Sequence, residues 1–442
     1  MRRFFVWTGA ALGLLALLLL LATFALGQWT GSVGFRERFE REAAAALGVP
    51  VTLSRVSVDV FPLPSVALEG LTIQAGMQAN IPSQPALTLG RVEARPLWWA
   101  LLQGRFAVST LIVREAVLPQ ATIVVIAARL QDPARKPAAP TAGPADTDLS
   151  WLPRKVVLDG VTWIGAQGRR STVQAELALD DGGWPDAANV AVTGGALQGT
   201  KAVLQREAKT QTAWNLRVDV GGGTLQGPLT VTLPEVTAKA REWVFEASLE
   251  TRGVEVSALT APSRTLTGRL DASTTLSVRI NPKAGAAAVA DALRSQTRFT
   301  VNNAVLQGVD LAKAVATVGL SRGGSTALDT LAGQVRTRGQ LIELTNLVAS
   351  SGVLAATGEV TVAPSKALSG RVRVDLTRGA GSNLVGVPLV VGGTLDEPSV
   401  SLSRSALLGA AIGTALMPGV GTGAGANLGD RLGEGLKDLF GK

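Results

Sequence analysis

The stretch most like a site that does chemistry is Gly421-Thr422-Gly423-Ala424-Gly425-Ala426, which fits the relaxed GxGxxA form of a dinucleotide loop. Such a loop works when a strand delivers it to a helix start, where backbone N–H groups face a pyrophosphate. No strand pattern runs into this one. A four-residue period fits the same region better: Gly409 and Gly413 are so spaced, as are Gly421, Gly425, Gly429 and Gly433. Small residues at that spacing let two helices touch backbone to backbone, as in membrane helix pairs. Leu428, Leu432, Leu436 and Leu439 then form an apolar stripe, with Asp430, Arg431, Glu434 and Lys437 off it. That stripe suits a membrane interface or the open end of a β-structure.

Other reactive constellations are sparse. The chain has 442 residues and contains no His, Cys or Tyr. Serine–histidine and cysteine–histidine nucleophiles, zinc–thiolate sites and disulfides are therefore excluded. No GxSxG, SxxK or GxxxxGK[ST] pattern occurs. Asp180-Asp181 beside Gly182-Gly183 reads as a solvated turn rather than a cation site. Any two carboxylates could meet for glycosidase-type work, but no pair is singled out. Trp98-Trp99 after Pro96 suits an interfacial anchor or a packed corner equally well. The expectation is a protein that is no enzyme and uses no catalytic residue, metal or cofactor. The net charge of +8 comes from scattered Arg without interleaved aromatics. Nucleic acid is accordingly not an expected partner.

The elements that would carry any site follow from patterning. Arg2 and Arg3 precede Phe4–Leu26, a charge-free run of 23 residues. At about 1.5 Å per residue it is long enough to cross a bilayer, and the flanking arginines place the N-terminus inside. A retained anchor is expected over a cleaved signal. Phe35–Leu47 reads as an amphipathic helix stopped by Gly48. After Pro50 the apolar period becomes two. Val173, Ala175, Leu177 and Leu179 oppose Gln174, Glu176 and Asp180. Trp214, Leu216, Val218 and Val220 alternate with Asn215, Arg217 and Asp219. Leu270, Ala272, Thr274, Leu276, Val278 and Ile280 form a third row. Val372, Val374 and Leu376 form a fourth, with Arg371, Arg373 and Asp375 behind. Helical interruptions are expected at Lys283–Ser295 and Val309–Val318.

A degenerate echo runs through the strands. Val66–Ile73 (VALEGLTI) returns as Val156–Trp163 (VVLDGVTW) and as Ala304–Leu311 (AVLQGVDL). Shorter pieces are Leu197-Gln198-Gly199 and Leu225-Gln226-Gly227. The polar–Gly pair predicts a bulge or bend within a strand. The spacing is too irregular for a solenoid.

The order of these segments resembles the AsmA family of bacterial envelope proteins. It starts with the anchor, Phe35–Leu47, Gly48-Val49-Pro50-Val51 and a strand ending Phe61-Pro62-Leu63-Pro64. Val66–Ile73 and Pro96-Leu97…Gly104-Arg105-Phe106 follow. Later come Phe299–Leu311, Asp329–Val362, Val387–Val400 and the glycine-rich tail. Gly48-Val49 stands where members often carry Gly-Arg, and residues 182–263 match by alternation alone. The resemblance implies an inner-membrane, single-pass protein with its bulk in the periplasm, built on a long curved β-sheet groove with an apolar interior. It also implies phospholipid carriage and a part in outer-membrane homeostasis.

The expected fold is thus mainly β: an elongated, curved antiparallel sheet groove with few helices, an N-terminal transmembrane helix and a helical tail. Its segments are residues 1–3 (cytoplasmic), 4–26 (anchor), 28–130 (first β region), 131–150 (Pro/Ala-rich linker), 151–404 (second β region) and 405–442 (tail). Roughly 15–20 residues per strand and turn gives about 20–26 strands, spanning on the order of 100–125 Å at about 4.8 Å each. Leu216, Val218, Leu270, Leu276, Val278, Ile280, Val372, Val374 and Leu376 are the expected groove lining. Gly409, Gly413, Gly421, Gly425, Gly429, Leu428, Leu432, Leu436 and Leu439 are the expected membrane or helix contacts. Expected partners are membrane phospholipids and other envelope proteins. The alternative reading is a structural or assembly factor for outer-membrane proteins, its groove filled by its own side chains.

Overall fold

Alternating polar and apolar residues with short glycine-containing turns dictate antiparallel meanders, and the computed structural model of the chain consists chiefly of them. It describes residues 33–59, 65–74, 85–97, 107–130, 153–165, 168–208, 210–234, 242–260, 264–280, 289, 291–316, 323–378 and 382–402. The expected anchor, the Trp98-Trp99 pair, the linker and the tail with all its contact residues lie outside them. No helix among the described residues is long and apolar enough to cross a membrane. The described residues form twenty strands and four helices, so the mainly β expectation holds. Two compact units divide between Gln205 and Arg206.

The first unit begins with helix α1 (Val33–Leu47). Gly48 ends it in a left-handed conformation (φ 72°), and its N–H donates to the Ala44 carbonyl at 2.8 Å. Glycine adopts this helix-terminating geometry without Cβ strain. Strands β1 (Val51–Thr52) and β2 (Arg55–Asp59) both pair with β3 (Ser65–Ile73). Then follow β4 (Leu87–Pro96) and β5 (Val108–Pro119), each antiparallel to its predecessor. Helix α2 (Gln120–Leu130) continues directly from β5. Strand β6 (Lys155–Ile164) pairs with β5 in parallel, a departure from the antiparallel expectation that no other pair of named strands among the described residues shares. A parallel neighbour needs a crossover of a dozen or more residues, and residues 120–154 supply it. Strands β7 (Arg170–Leu179), β8 (Pro185–Gly194) and β9 (Lys201–Arg206) complete the meander.

The second unit is an unbroken antiparallel meander. Its strands are β10 (Ala213–Val220), β11 (Gly223–Thr232), β12 (Trp243–Glu255), β13 (Leu266–Ile280), β14 (Leu293–Gln307) and β15 (Ser325–Arg338). They continue as β16 (Leu341–Ser351), β17 (Leu354–Val362), β18 (Leu368–Arg378), β19 (Ser382–Gly393) and β20 (Pro398–Leu402). Helix α3 (Val256–Leu259) follows β12, and helix α4 (Leu311–Ala316) follows β14. The Asp310 carboxylate accepts from Lys313 N–H at 2.8 Å, so α4 starts on a side-chain cap. The expected helix at Lys283–Ser295 is corrected at its end. Leu293, Arg294 and Ser295 are strand residues opposite Val278, Ser277 and Leu276. Cross-strand pairing overrides the local alanine-rich propensity there.

The echoed polar–Gly pairs differ in outcome. Gly70 and Gly160 both adopt φ 65° inside strands, and the register shifts at Leu158/Val161. Gly308, in the third copy, instead closes β14 with φ 85°. Gly199 sits in the turn between β8 and β9.

Candidate functional site

Strand alternation decides which residues share a face, and pairing register decides which of them line up. In the first unit both act together. Val66, Ala94, Leu111, Val156, Leu177, Ala188 and Leu204 are consecutive cross-strand partners from β3 to β9. Two residues along, Val56, Leu68, Val92, Val113, Leu158, Ala175, Val190 and Ala202 form a parallel row from β2 to β9. Neither row contains a polar side chain. All these residues except the buried Val56 are only half-buried. Six inter-strand steps make the seven-residue row about 29 Å long.

The opposite face carries the charge. Glu69, Arg91, Arg114 and Asp159 are consecutive partners across four strands. Arg91 holds Glu69 at 2.9 Å, and Gln174 donates to Asp159 at 3.0 Å. Glu93 lies among Arg91, Arg95 and Arg114 at 3.8, 2.8 and 3.9 Å, its side chain 8 % exposed. The network ties three strands together on the side away from the apolar rows. Polar and apolar functions are thus separated by the thickness of one sheet.

Helices cap only part of the apolar surface. Val49, Val51, Ile73 and Leu87 are buried with residues of α1 and α2 packed against them, including Ala43, Leu47, Ile123 and Ile126. None of the row residues belongs to that cluster. The boundary follows left-handed residues: Gly70, Glu115 and Gly160 each come directly after a member of the Glu69–Arg114–Asp159 row.

The second unit repeats the division. Leu270, Val301, Leu331, Ala349, Ala356, Val374 and Val387 are consecutive partners across seven strands. They lie in or against a core completed by Leu311 and Ala314 of α4 and by Val309. The Thr326 hydroxyl anchors this cap, accepting from Leu311 N–H at 2.9 Å and donating to the Val309 carbonyl at 2.8 Å. Strands β10, β11 and β12 and the other ends of β13 (Ala272–Ile280) and β14 (Leu293–Arg298) contribute no residue to that core. There Trp214, Leu229, Ala247 and Leu276 line up, as do Val231, Phe245, Val278 and Leu293.

The expected groove residues therefore separate. Leu270, Val372 and Leu376 pack against the α4-capped core, and Val374 is fully buried within it. Leu216, Leu276, Val218 and Ile280 are half-buried and Val278 is buried, all outside that core. The first-unit rows are the larger open apolar surface, and none of their members is in the sequence-based lining, which falls wholly in the second unit. The usable signal was the alternation in Val108–Pro119 and Lys155–Ile164, masked by central Glu115 and Gly160, which break the period.

Asp180-Asp181 forms a turn. The Asp180 carboxylate accepts from Gly182 and Trp184 N–H at 2.9 and 2.8 Å, and Asp181 pairs with Arg154. No group of carboxylates suited to a metal ion occurs among the described residues. No family model, curated protein or solved structure matches the chain.

Proposed function

We propose that this is a lipid-binding or lipid-transfer protein of the AsmA type, which shelters phospholipid acyl chains against apolar sheet faces and supports outer-membrane homeostasis. One observation carries the reading. Two adjacent rows of Val, Leu and Ala cross the first unit without a polar interruption, yet remain half-exposed. A soluble ligand would need polar groups to fix it, whereas an acyl chain needs only a continuous dry track. Each methylene removed from water against such a track contributes about 0.8 kcal/mol. The charge-free run Phe4–Leu26 supports a tether in the inner membrane with the body in the periplasm.

The assembly-factor reading has its own support: the second-unit row under α4 is filled by the protein's own side chains. It accounts for the capped halves of the strands and leaves the open rows without a role.

Co-purification tests the proposal. The full chain is extracted in detergent, washed into a lipid-free detergent and weighed by native mass spectrometry. Retained phospholipid near or above one per chain is expected. A chain that is folded and free of phospholipid at every extraction would overturn the proposal.

A further inference from the structure

The polar face of the second unit carries an arrangement that sheets normally avoid. Arg294 on β14 and Arg338 on β15 are direct cross-strand partners. Like charges directly opposite one another destabilise an antiparallel pair. Arg336 is two residues from Arg338 on the same face, and Arg279 lies one residue beyond Val278, the partner of Leu293. All four arginines are exposed. None of their side chains makes an ion pair or hydrogen bond with another described residue within the usual distances. Carboxylates are not far away. Glu343 is the cross-strand partner of Arg336, Glu246 is the partner of Ser277 on β13, and Asp291, just before β14, accepts from Gln340 at 3.0 Å. None of them faces Arg294 or Arg338 in the register.

Two open cavities meet at this patch. One, of about 530 Å³, is lined by Arg294, Arg336 and Arg338 with Ser277 and Gln296. The other, of about 280 Å³, is lined by Ser277, Arg279, Ala292 and Arg294. Guanidinium forks match phosphate oxygens in geometry and charge, and an anion between opposed arginines removes their repulsion. The patch is shallow and spread over three strands, which fits several headgroups on a surface better than one enclosed small anion.

We infer that Arg279, Arg294, Arg336 and Arg338 dock the polar face of the second unit onto the acidic phospholipid headgroups of a bilayer surface. This contact is independent of whether the apolar rows hold lipid, so either proposal can fail alone. It would hold the body close to a membrane through charge, with the apolar faces left free.

The absence of cysteine lets Gln296→Cys in the full chain take a single fluorophore in the middle of the patch. The labelled protein is reconstituted into vesicles of pure phosphatidylcholine or of an equal mixture with phosphatidylglycerol, with a quencher at headgroup depth. Quenching is expected only with the acidic lipid, and should decline as salt is raised. Arg294→Ser with Arg338→Ser should weaken docking by about thirtyfold, since a basic side chain at an anionic surface contributes about a fivefold factor. Arg338→Lys, which keeps the charge, should retain most of the quenching. Arg294→Ser should also leave the thermal midpoint unchanged or raised, because it removes an opposed like charge. Equal quenching on pure phosphatidylcholine, docking that survives the double substitution, or a lowered midpoint would overturn the inference. Inorganic phosphate that shifts the fluorophore's emission on neutral vesicles as strongly as acidic lipid does would identify a small-anion site instead.

Discussion

Gly70 and Gly160 share one backbone conformation in two different surroundings, so they separate the cost of conformation from the cost of contact. Both have φ 65°. A Cβ at Gly160 would find its nearest neighbour, the Glu115 nitrogen, at 3.9 Å, whereas a Cβ at Gly70 would overlap the Ser54 hydroxyl. Gly160→Ala should therefore lower stability by about 1 kcal/mol from the left-handed backbone alone. Gly70→Ala should cost about 2 kcal/mol or more, because Ser54 must also move. Urea midpoints of the two variants check the ordering. Glu93 gives a second residue-scale test. Glu93→Gln leaves Arg91, Arg95 and Arg114 around a neutral group. We expect a loss of about 2–3 kcal/mol, below the range for a fully buried pair because the arginines stay partly solvated. An unchanged urea midpoint would mean that solvent already screens this network.

At the scale of elements, the contrast lies between capped and open halves of the strands. Leu311 of α4 and Val374 of β18 belong to one buried core. Leu311→Ser should open that core and cost about 2–4 kcal/mol, and Val374→Glu should prevent the second unit from folding. Leu158→Glu and Leu276→Glu fall on half-buried positions outside the caps. They should keep the circular-dichroism spectrum of the parent while retained phospholipid falls. Equal unfolding in all four variants would show that the open rows are packed core too. The alternation behind this contrast was legible in the chain. Arg217, Arg371 and Arg373 point away from Leu216, Val372 and Val374, as period two requires. The division into capped and open halves was not legible, because it depends on where α4 folds back and on register over seven strands. Neither is a local property. The strand character of Leu293–Ser295 was hidden for the same reason: its pairing partners, β13 and β15, outweigh the alanines that precede it.

For the whole molecule, twenty strands among the described residues fall at the lower end of the range expected from spacing. The mainly β class was readable because nearly every segment after Pro50 repeats with one period. The parallel pairing of β5 and β6 was not, since it joins residues separated by the proline-rich stretch, where composition signals only an interruption. The long apolar rows emerge only when seven strands are in register, and they, rather than any reactive group, carry the functional account. The measurement that tests it most directly is face-resolved crosslinking in the intact chain. A photoreactive amino acid is placed at Leu111 or Leu177 on the apolar rows, and at Arg114 or Glu176 on the polar face. After illumination in native membranes, phospholipid adducts are quantified by mass spectrometry. The account predicts adducts at Leu111 and Leu177 that exceed those at Arg114 and Glu176 by an order of magnitude or more, since the sheet shields one face from the other. Equal adducts on both faces, or none on the apolar rows of a folded chain, would contradict it.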